Sequence, residues 1–520
     1  MSKKQETVIE TKSGKIEGSY EGGLYVFKGI PYAAPPVGER RWLPPQPVEP
    51  WRGVRQAKTF GTIAPQNVME IKVMQASRVE EPQSEDCLYL NIWSPGLDDA
   101  RRPVLVWIHG GAFVIGSGSQ AMHAGDKLAA YGDVVVVTTN YRLGLLGFLN
   151  LNEVTGGKIP ATGNEGLLDQ IAALEWVRDN IAAFGGDPDN VTVFGESAGG
   201  MSIGCLLAMP KARGLFQKAI LESGVGSTVA PLEAAVMVAG KFLEVFGSGA
   251  SDVEALRAFP VERLLSASLE LQARMAREGE ALRTTVTVPV IDGKALPELP
   301  INAIGHGSAD KVTVLAGTNL EEWTLLSMMD VELPKLDEAG LVRRLQDFMP
   351  TKYIPGLIEA YREARVKRGA DASPPALFRA VQTDRMFRIP CIHLVEAQRR
   401  HNQSTYNYLF TWLSPAMGGI LGACHALDIG FVFGTLDASF HGSGPAVDRL
   451  SRNMQDAWVS FARTGNPSCG SIGNWPPYEE RRVTMILGED CHTEEAPYDE
   501  ERRAWDSIPN VFTGEIRTDK

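Results

Sequence analysis

Short, wholly apolar segments rich in β-branched residues recur through the middle of the chain. The predicted strands are residues 104–108, 134–139, 191–194, 219–221 and 312–315. Runs of this length suit strands that are covered on both faces, as in a parallel sheet. Apolar residues at helical spacing lie between them, most clearly over 167–181, with glycines at 185 and 186 as a stop. Strands that alternate with helices indicate an open α/β sheet.

The segments around this core have other patterns. Residues 29–38 are rich in Pro and Gly, which remove donors and restrict their neighbours, so they predict an ordered loop between short strands. Residues 228–310 and 331–390 are mostly helical in pattern, and 446–463 predicts a late helix. Since no Ser/Gly-rich linker divides residues 1–520, we predict one domain, with the two helical segments as insertions over the C-terminal edge of the sheet.

Composition narrows the class of protein. The chain has 520 residues, 44% of them hydrophobic and 22% charged, which excludes a mainly disordered chain. Its 51 Lys and Arg against 63 Asp and Glu give a formal net charge of −12, and no basic stripe is visible, so we expect no nucleic-acid partner. No run approaches the roughly 18 apolar residues of a membrane span, so no membrane association is expected.

The cysteines and the start of the chain bear on the compartment. Residues 1–7 carry charges but no apolar run follows them, so we expect no secretory signal. The six cysteines form neither a CxxC pair nor a dense framework. Reduced thiols in a cytoplasmic protein are therefore predicted. Because an HExxH motif and a Cys/His cluster are also lacking, we expect no metal and no cofactor.

A candidate nucleophile lies between the predicted strand 191–194 and an apolar helical pattern. The strand runs into Gly195-Glu-Ser197-Ala-Gly199, which is the context of a nucleophile elbow. Side chains at Gly195 and Gly199 would collide with neighbouring backbone, and the turn raises the hydroxyl of Ser197 above the sheet, close to N–H groups at a helix start. Gly-x-Ser-x-Gly alone also arises by chance, so its assignment depends on further elements.

Residues 109–113, His-Gly-Gly-Ala-Phe, follow directly after the predicted strand 104–108. Acyl transfer develops negative charge on an oxygen, which requires N–H donors fixed in a dry site. Adjacent small residues let the backbone approach such an oxygen closely. A loop of this type and an elbow on one sheet are together far more specific than either alone.

A serine hydroxyl needs a base, and His is the natural one near neutral pH, with a reference pKa of about 6.5. In sites built on a Gly-x-Ser-x-Gly elbow, the acid follows the serine along the chain and the His follows the acid. This order excludes His109 and His123 as the base, because both precede Ser197. His425 lies in a Gly-rich loop beside an apolar run, as a positioned, partly buried imidazole requires. His306 is the main alternative, although it precedes the predicted strand 312–315.

Two adjacent carboxylates, Glu321 and Glu322, follow that same strand. The acid of a triad holds the imidazolium and its tautomer and does not accept the proton. Glu321 and Glu322 cannot both point at the same imidazole. The local pattern leaves the choice between them open.

Taken together, the motifs resemble the type-B carboxylesterase family, especially its bacterial p-nitrobenzyl-esterase-like members, over nearly the whole chain. The segments that carry the resemblance are 27–38, 84–91, 109–113, 140–144, 183–190 and 195–200. The resemblance implies an α/β-hydrolase fold, with a large, mostly parallel central sheet flanked by helices. It also implies hydrolysis of small-molecule carboxylic esters through an acyl-enzyme, without a cofactor.

The same resemblance assigns site residues. The family's acid is the second carboxylate of a Gly-Thr-x-x-(Asp/Glu)-Glu stretch, although Trp323 here replaces the usual Gly. Secreted members often pair the cysteine of the Glu-Asp-Cys-Leu motif with one upstream, but Cys87 is the first in this chain, in agreement with a cytoplasmic enzyme. The implied residues are the triad Ser197, Glu322 and His425, the oxyanion donors Gly111, Ala112 and Ala198, and the supports Glu196 and Ser223.

Several alternatives share these motifs. The same site is also compatible with amides, carbamates or thioesters, or with the long-chain substrates of a lipase. A catalytically inactive binding homologue is disfavoured because all three triad residues are present. We expect a monomer or a small homo-oligomer.

Overall fold

The computed structural model describes residues 7–67, 81–247, 252–278 and 286–508. Within these ranges an eleven-stranded sheet runs through the molecule. The strands are β1 (Val8–Thr11), β2 (Gly14–Glu17), β3 (Ser19–Glu21), β4 (Leu24–Pro31), β5 (Val54–Gln56), β6 (Tyr89–Ser94), β7 (Arg102–Ile108), β8 (Val135–Thr139), β9 (Gly186–Glu196), β10 (Lys218–Glu222), β11 (Ala230–Pro231), β12 (Val290–Ile291), β13 (Thr313–Asn319), β14 (Thr405–Phe410), β15 (Val483–Leu487) and β16 (His492–Glu495).

The centre of the large sheet is parallel, in the order β15-β14-β13-β10-β9-β7-β8. Antiparallel strands extend both edges, with β6, β4 and β3 beyond β8 and with β16 beyond β15. Strands β1, β2 and β5 form a small separate sheet, and β11 pairs with β12. The predicted mostly parallel central sheet is thus confirmed.

The predicted strands correspond to β7, β8, β9, β10 and β13. Strand β13 continues past its apolar run to Asn319, because it keeps pairing with β14 through Thr318 and Asn319. The predicted loop 29–38 needs a correction, since its first three residues complete β4. There the pairing with β6 shifts register between Phe27 and Ile30, which is how a strand accommodates Gly29.

Helices cover both faces of the sheet. They are α1 (Asp126–Gly132), α2 (Gly144–Gly147), α3 (Glu165–Asn180), α4 (Ala198–Ala208), α5 (Leu232–Phe246), α6 (Val253–Ala258), α7 (Val261–Arg277), α8 (Pro300–Gly305), α9 (Trp323–Leu326), α10 (Glu338–Gln346), α11 (Ile354–Lys367), α12 (Pro374–Thr383), α13 (Ile389–Gln398), α14 (Ile429–Phe433), α15 (Pro445–Thr464) and α16 (Asp499–Ala504). A short π-helix, Asp384–Arg388, links α12 to α13. Helices α3 and α15 match the predicted ones. Gly465 closes α15 with a positive φ, and Gly185 does the same for the short 3-10 helix Ile181–Phe184 that follows α3.

Successive side chains of the central strands point to opposite faces. On β7, Val104 and Val106 belong to the apolar cluster that includes residues of α3, α4 and α13, whereas Leu105 and Trp107 belong to the one that includes residues of α1, α14 and α15. Burial on both faces explains why these strands are wholly apolar.

The two predicted insertions contain helices. Helices α5 to α8 lie within 228–310, and α10 to α12 lie within 331–390. Residues 248–251 and 279–285 of the first insertion lie outside the described residues. The single-domain organisation stays a prediction. Among the helices that the structure describes, none is long and apolar enough to cross a membrane.

Candidate active site

Ser197 lies at the junction of β9, which ends at Glu196, and α4, which begins at Ala198. Its backbone has φ 55° and ψ −122°, a conformation that residues with a side chain rarely adopt. Its N–H donates to the carbonyl of Glu222 at 2.9 Å, which ties the turn to β10. A Cβ at Gly199 would overlap the carbonyl oxygen of Ile108. The turn therefore requires glycine where the sequence has it.

Three side chains from separate parts of the chain meet at this turn. Nε2 of His425 lies 2.9 Å from Oγ of Ser197, and Nδ1 of the same ring lies 2.6 Å from Oε2 of Glu322. The ring of Phe387, which belongs to the π-helix, packs on the imidazole with the centroids 4.9 Å apart. The geometry is that of a nucleophile, a base and an orienting acid in one continuous hydrogen-bonded chain.

The structure distinguishes the two adjacent carboxylates. Glu322 is fully buried, and its second oxygen accepts the N–H of Asn319 at 2.8 Å. Glu321 points elsewhere and accepts the N–H of Ala423 at 3.0 Å. At the position of the unusual Trp323, α9 begins, and the Trp323 N–H donates to Oγ1 of Thr383 at 3.1 Å. Glu322 is thus the carboxylate that contacts the imidazole.

The other candidate histidines lie outside this cluster. The side chain of His306 is 73% exposed, and its Nδ1 lies 3.3 Å from a Glu298 oxygen. His109 and His123 are buried, and burial lowers the pKa of His109 to about 4 and that of His123 to about 3. These two rings are neutral near pH 7.

The glycine loop after β7 packs against the serine turn. A Cβ at Gly110 would lie 2.7 Å from the carbonyl oxygen of Glu196 and 3.1 Å from Cβ of Ser197. Gly111 and Ala112 follow with positive φ, 107° and 54°. Ala198 opens α4, so its N–H is among those that a helix leaves without an intrahelical acceptor. The predicted oxyanion donors therefore belong to segments that border Ser197.

Two residues that the sequence reasoning did not single out hold this loop. The side-chain amide of Gln66 donates to the carbonyl of Gly116 at 3.0 Å, and Gly116 N–H donates back at 2.8 Å. The hydroxyl of Tyr141 donates to the carbonyl of His109 at 2.8 Å, and the two rings stack 4.4 Å apart. Tyr141 lies in the motif 140–144, but nothing local in the sequence indicates either contact.

The predicted support Glu196 lies against the base. Its Oε1 is 3.1 Å from Nε2 of His425. Burial raises the pKa of Glu196, whereas the adjacent His425 ring, when protonated, lowers it. Burial on its own lowers the pKa of His425, but the nearby carboxylates of Glu196 and Glu322 outweigh it and raise that pKa above its usual range. Carboxylates on either side, when ionised, thus favour the protonated form of the His425 imidazole.

Two further buried carboxylates, Asp428 and Glu222, were missed in the sequence, and they interact electrostatically with Glu322 and Glu196 respectively. Asp428 accepts the amide of Asn319 at 3.1 Å and the hydroxyl of Tyr408 at 3.2 Å. Burial, followed by the charge of Glu322, raises the pKa of Asp428 to about 6. Glu222 accepts the indole N–H of Trp458 at 2.8 Å, and burial raises its pKa well above the usual range. The available signal for Asp428 was its position three residues after His425 in the sequence.

The second predicted support, Ser223, is buried with φ 51°. Its N–H donates to the carbonyl of Gly317 at 2.9 Å, which joins β10 to β13. Within the described part of the chain, its Oγ makes no hydrogen bond. Its observed hydrogen bond is therefore made by the backbone, and a supporting role for its hydroxyl stays a prediction.

A metal ion needs several His, Cys, Asp or Glu side chains that converge on one point. In the described ranges, no group of three or more His, Cys, Asp or Glu side chains is arranged for one. The six cysteines are free thiols, four of them buried. The chemistry that this site can perform is nucleophilic attack by a hydroxyl with proton transfer through an imidazole.

Comparison with known proteins agrees with this geometry. Residues 5–505 match the model of the carboxylesterase family. Para-nitrobenzyl esterase of Bacillus subtilis is 42% identical over 506 residues, which cover 95% of this chain and 98% of that protein. Phenmedipham hydrolase of Pseudarthrobacter oxydans is 34% identical over 93% of this chain and 95% of its own length.

Solved structures give the same result for the fold. Carboxylesterase EST55 of Geobacillus stearothermophilus superposes with a TM-score of 0.85 at 40% identity, over 96% of this chain and all of that one. A structure of PNB esterase gives a TM-score of 0.83 at 41% identity, with the same coverage. These likenesses confirm the α/β-hydrolase fold and the predicted activity on carboxylic esters. The chain belongs to the carboxylesterase family.

Proposed function

We propose that this carboxylic ester hydrolase works through Ser197 as the nucleophile, His425 as the general base and Glu322 as the orienting acid. The observation that carries the proposal is the hydrogen-bonded chain from Oγ through both ring nitrogens to the carboxylate, with 2.9 Å and 2.6 Å as its two links. The His425 and Glu322 side chains are buried, which strengthens their electrostatic interaction.

Acylation begins when Oγ of Ser197 attacks the ester carbonyl carbon and its proton moves to Nε2 of His425. Glu322 fixes the ring through Nδ1 and offsets the positive charge of the imidazolium. The carbonyl oxygen becomes negative and accepts hydrogen bonds from the N–H groups of Gly111, Ala112 and Ala198. When this intermediate collapses, the bond to the alkoxy oxygen breaks, His425 protonates that oxygen, and the alcohol leaves.

Deacylation repeats these steps with water as the nucleophile. His425 takes a proton from the water as its oxygen attacks the acyl carbon, and the same N–H groups stabilise the second intermediate. The bond from the acyl carbon to Oγ then breaks, and the proton returns from Nε2 to Ser197. A carboxylic acid leaves, and the free enzyme is restored.

The proposal is tested by replacing Ser197 with Ala. Turnover of p-nitrophenyl esters and covalent labelling by an organophosphate should both be lost. Ser202→Ala is the matched control, because Ser202 lies on the adjacent helix α4 and its hydroxyl accepts a hydrogen bond from the Gln170 amide. Retained turnover in Ser197→Ala would refute the assignment of the nucleophile.

We also propose that the protein is cytoplasmic and has no nucleic-acid partner. The free thiols of all six cysteines, including buried Cys87, support a cytoplasmic location. The net charge of −12 supports a protein without a nucleic-acid partner. We further propose a single domain that acts as a monomer or a small homo-oligomer, which light scattering tests.

A further inference from the structure

Glu321 has no part in the proposed triad, yet it makes two hydrogen bonds to the loop that carries His425. Its backbone N–H donates to the carbonyl of Ala423 at 2.9 Å. Its carboxylate oxygen Oε2 accepts the N–H of the same residue at 3.0 Å. One residue at the end of β13 therefore holds both backbone groups of a residue two positions before the base.

Gly422 adds an independent steric observation. Its φ is +59°, and a Cβ built on it would overlap the carboxylate of Glu321. The carboxylate thus occupies the space that a side chain at 422 would fill. Gly422 and the carboxylate of Glu321 therefore form one packed unit, in which the carboxylate fits only because residue 422 has no side chain.

A second residue of the same strand end reinforces this attachment. The amide of Asn319 donates to the carbonyl of Cys424 at 2.8 Å. The backbone on the N-terminal side of His425 is therefore attached at consecutive positions to the segment that also carries Glu322. The loop farther from His425 is open to solvent only in part, since Leu413 and Ile420 are 62% and 63% exposed whereas Ser414 and Leu421 are buried.

We propose that Glu321 is a positioning residue, which fixes the distance from His425 to Ser197 by attaching residues 422–423 to the end of β13. The inference rests on the proposed triad and adds a role for the carboxylate that the triad does not use. Its action needs a hydrogen-bond acceptor and not a negative charge, because its partner is a backbone N–H. A displacement of about 1 Å in a reacting group can lower a rate about 100-fold, so a modest shift of the loop is sufficient.

The test compares Glu321→Ala with Glu321→Gln in the full-length enzyme. Glu321→Ala should lower kcat about tenfold or more while KM changes less than about twofold, since the variant is expected to shift the base rather than to remove a substrate contact. Glu321→Gln should recover most of that loss, because an amide oxygen also accepts the Ala423 N–H. Glu332→Ala is the control, since Glu332 is an exposed glutamate whose carboxylate pairs with Lys335.

Active-site titration with an organophosphate and thermal unfolding separate positioning from folding. The expected result is an unchanged number of titratable sites with slower turnover per site in Glu321→Ala. The proposal is overturned if Glu321→Ala keeps kcat within about twofold, if Glu321→Gln is as impaired as Glu321→Ala, or if the loss only follows the folded fraction.

Gly422→Ala supplies a second, independent measurement. Alone, it should lower kcat, because the new Cβ displaces the Glu321 carboxylate. Combined with Glu321→Ala, its additional effect should be smaller than in the parent enzyme, because the overlapping group is gone. Additive losses would contradict the packed unit. Ser197→Ala, assayed alongside, shows whether the proposed nucleophile itself has failed, which is a different result from any of these.

Discussion

Two regions that meet at Oγ of Ser197 are built in opposite ways. The nucleophile turn, residues 195–200, joins a central strand to a helix, and every residue in it except Ser197 is buried. The histidine loop, residues 413–425, has little regular structure, and Leu413, Met417 and Ile420 are 62%, 50% and 63% exposed. The turn is held by close backbone packing at its glycines, whereas the part of the loop next to His425 is held by hydrogen bonds to Glu321 and Asn319 at the end of β13.

This difference separates two ways of holding a catalytic group. In the turn, Gly199 approaches the backbone of Ile108, so the constraint is steric and depends on the glycines themselves. In the loop, Ala423 and Cys424 are held by side chains of Glu321 and Asn319. Changes of size should therefore damage the turn most, and changes of hydrogen-bonding groups should damage the loop most.

The largest effect is expected where the loop meets the acid. Glu322→Gln keeps the shape of the side chain but removes the charge that holds the Nδ1 proton of His425. The expected fall in kcat is about 10⁴-fold, as when an orienting acid is replaced by its amide in related triads. Steady-state kinetics with a p-nitrophenyl ester measure it, and a loss of less than about tenfold would count against Glu322 as the acid.

Gly199→Ala should come next and should act through structure. The new methyl group meets a backbone oxygen that cannot move aside, so we expect destabilisation of about 3 kcal/mol together with loss of esterase activity. Denaturant unfolding and active-site titration measure the two effects. A stable variant with normal activity would show that the turn tolerates size and that the contrast with the loop is wrong.

Glu196 belongs to the nucleophile turn and lies against His425 of the histidine loop, so Glu196→Gln tests how the turn acts on the base. His425 must be neutral to accept the serine proton, so kcat/KM falls as pH drops below its pKa. The Glu196 carboxylate raises that pKa, and its removal should move the acidic limb to lower pH by about one unit. A limb that does not move would contradict the inference that the Glu196 carboxylate raises the pKa of His425.

The smallest effect is expected at the exposed surface of the loop. Ile420→Ala removes a side chain that is 63% exposed, so stability should change by less than about 0.5 kcal/mol. Ile203→Ala on α4 is the matched control, because that side chain is fully buried and its loss should cost about 2–5 kcal/mol. Similar costs at the two positions would mean that the loop is packed in solution.

Much of the fold could be predicted because the central strands carry their own signal. Residues 104–108 are apolar on both faces, which is typical of a strand covered on both sides, as in a parallel sheet. The ends of strands were harder to predict from the sequence where polar residues continue the strand, as Thr318 and Asn319 do at the end of β13. The prediction of a loop over 29–38 was wrong for its first three residues. They complete β4, because a register shift in that strand accommodates a glycine.

The sequence by itself determined the α/β sheet, the serine turn and the glycine loop, because each depends on sterics and periodicity among neighbouring residues. The choice of Glu322 over Glu321 as the residue on the imidazole needed the family resemblance or the coordinates, since both are equally placed along the chain. Only the tertiary structure decided the contacts of Glu321, Gln66 and Asp428. Their partners lie elsewhere in the sequence, and a hydrogen bond between distant segments leaves no periodic pattern in either one.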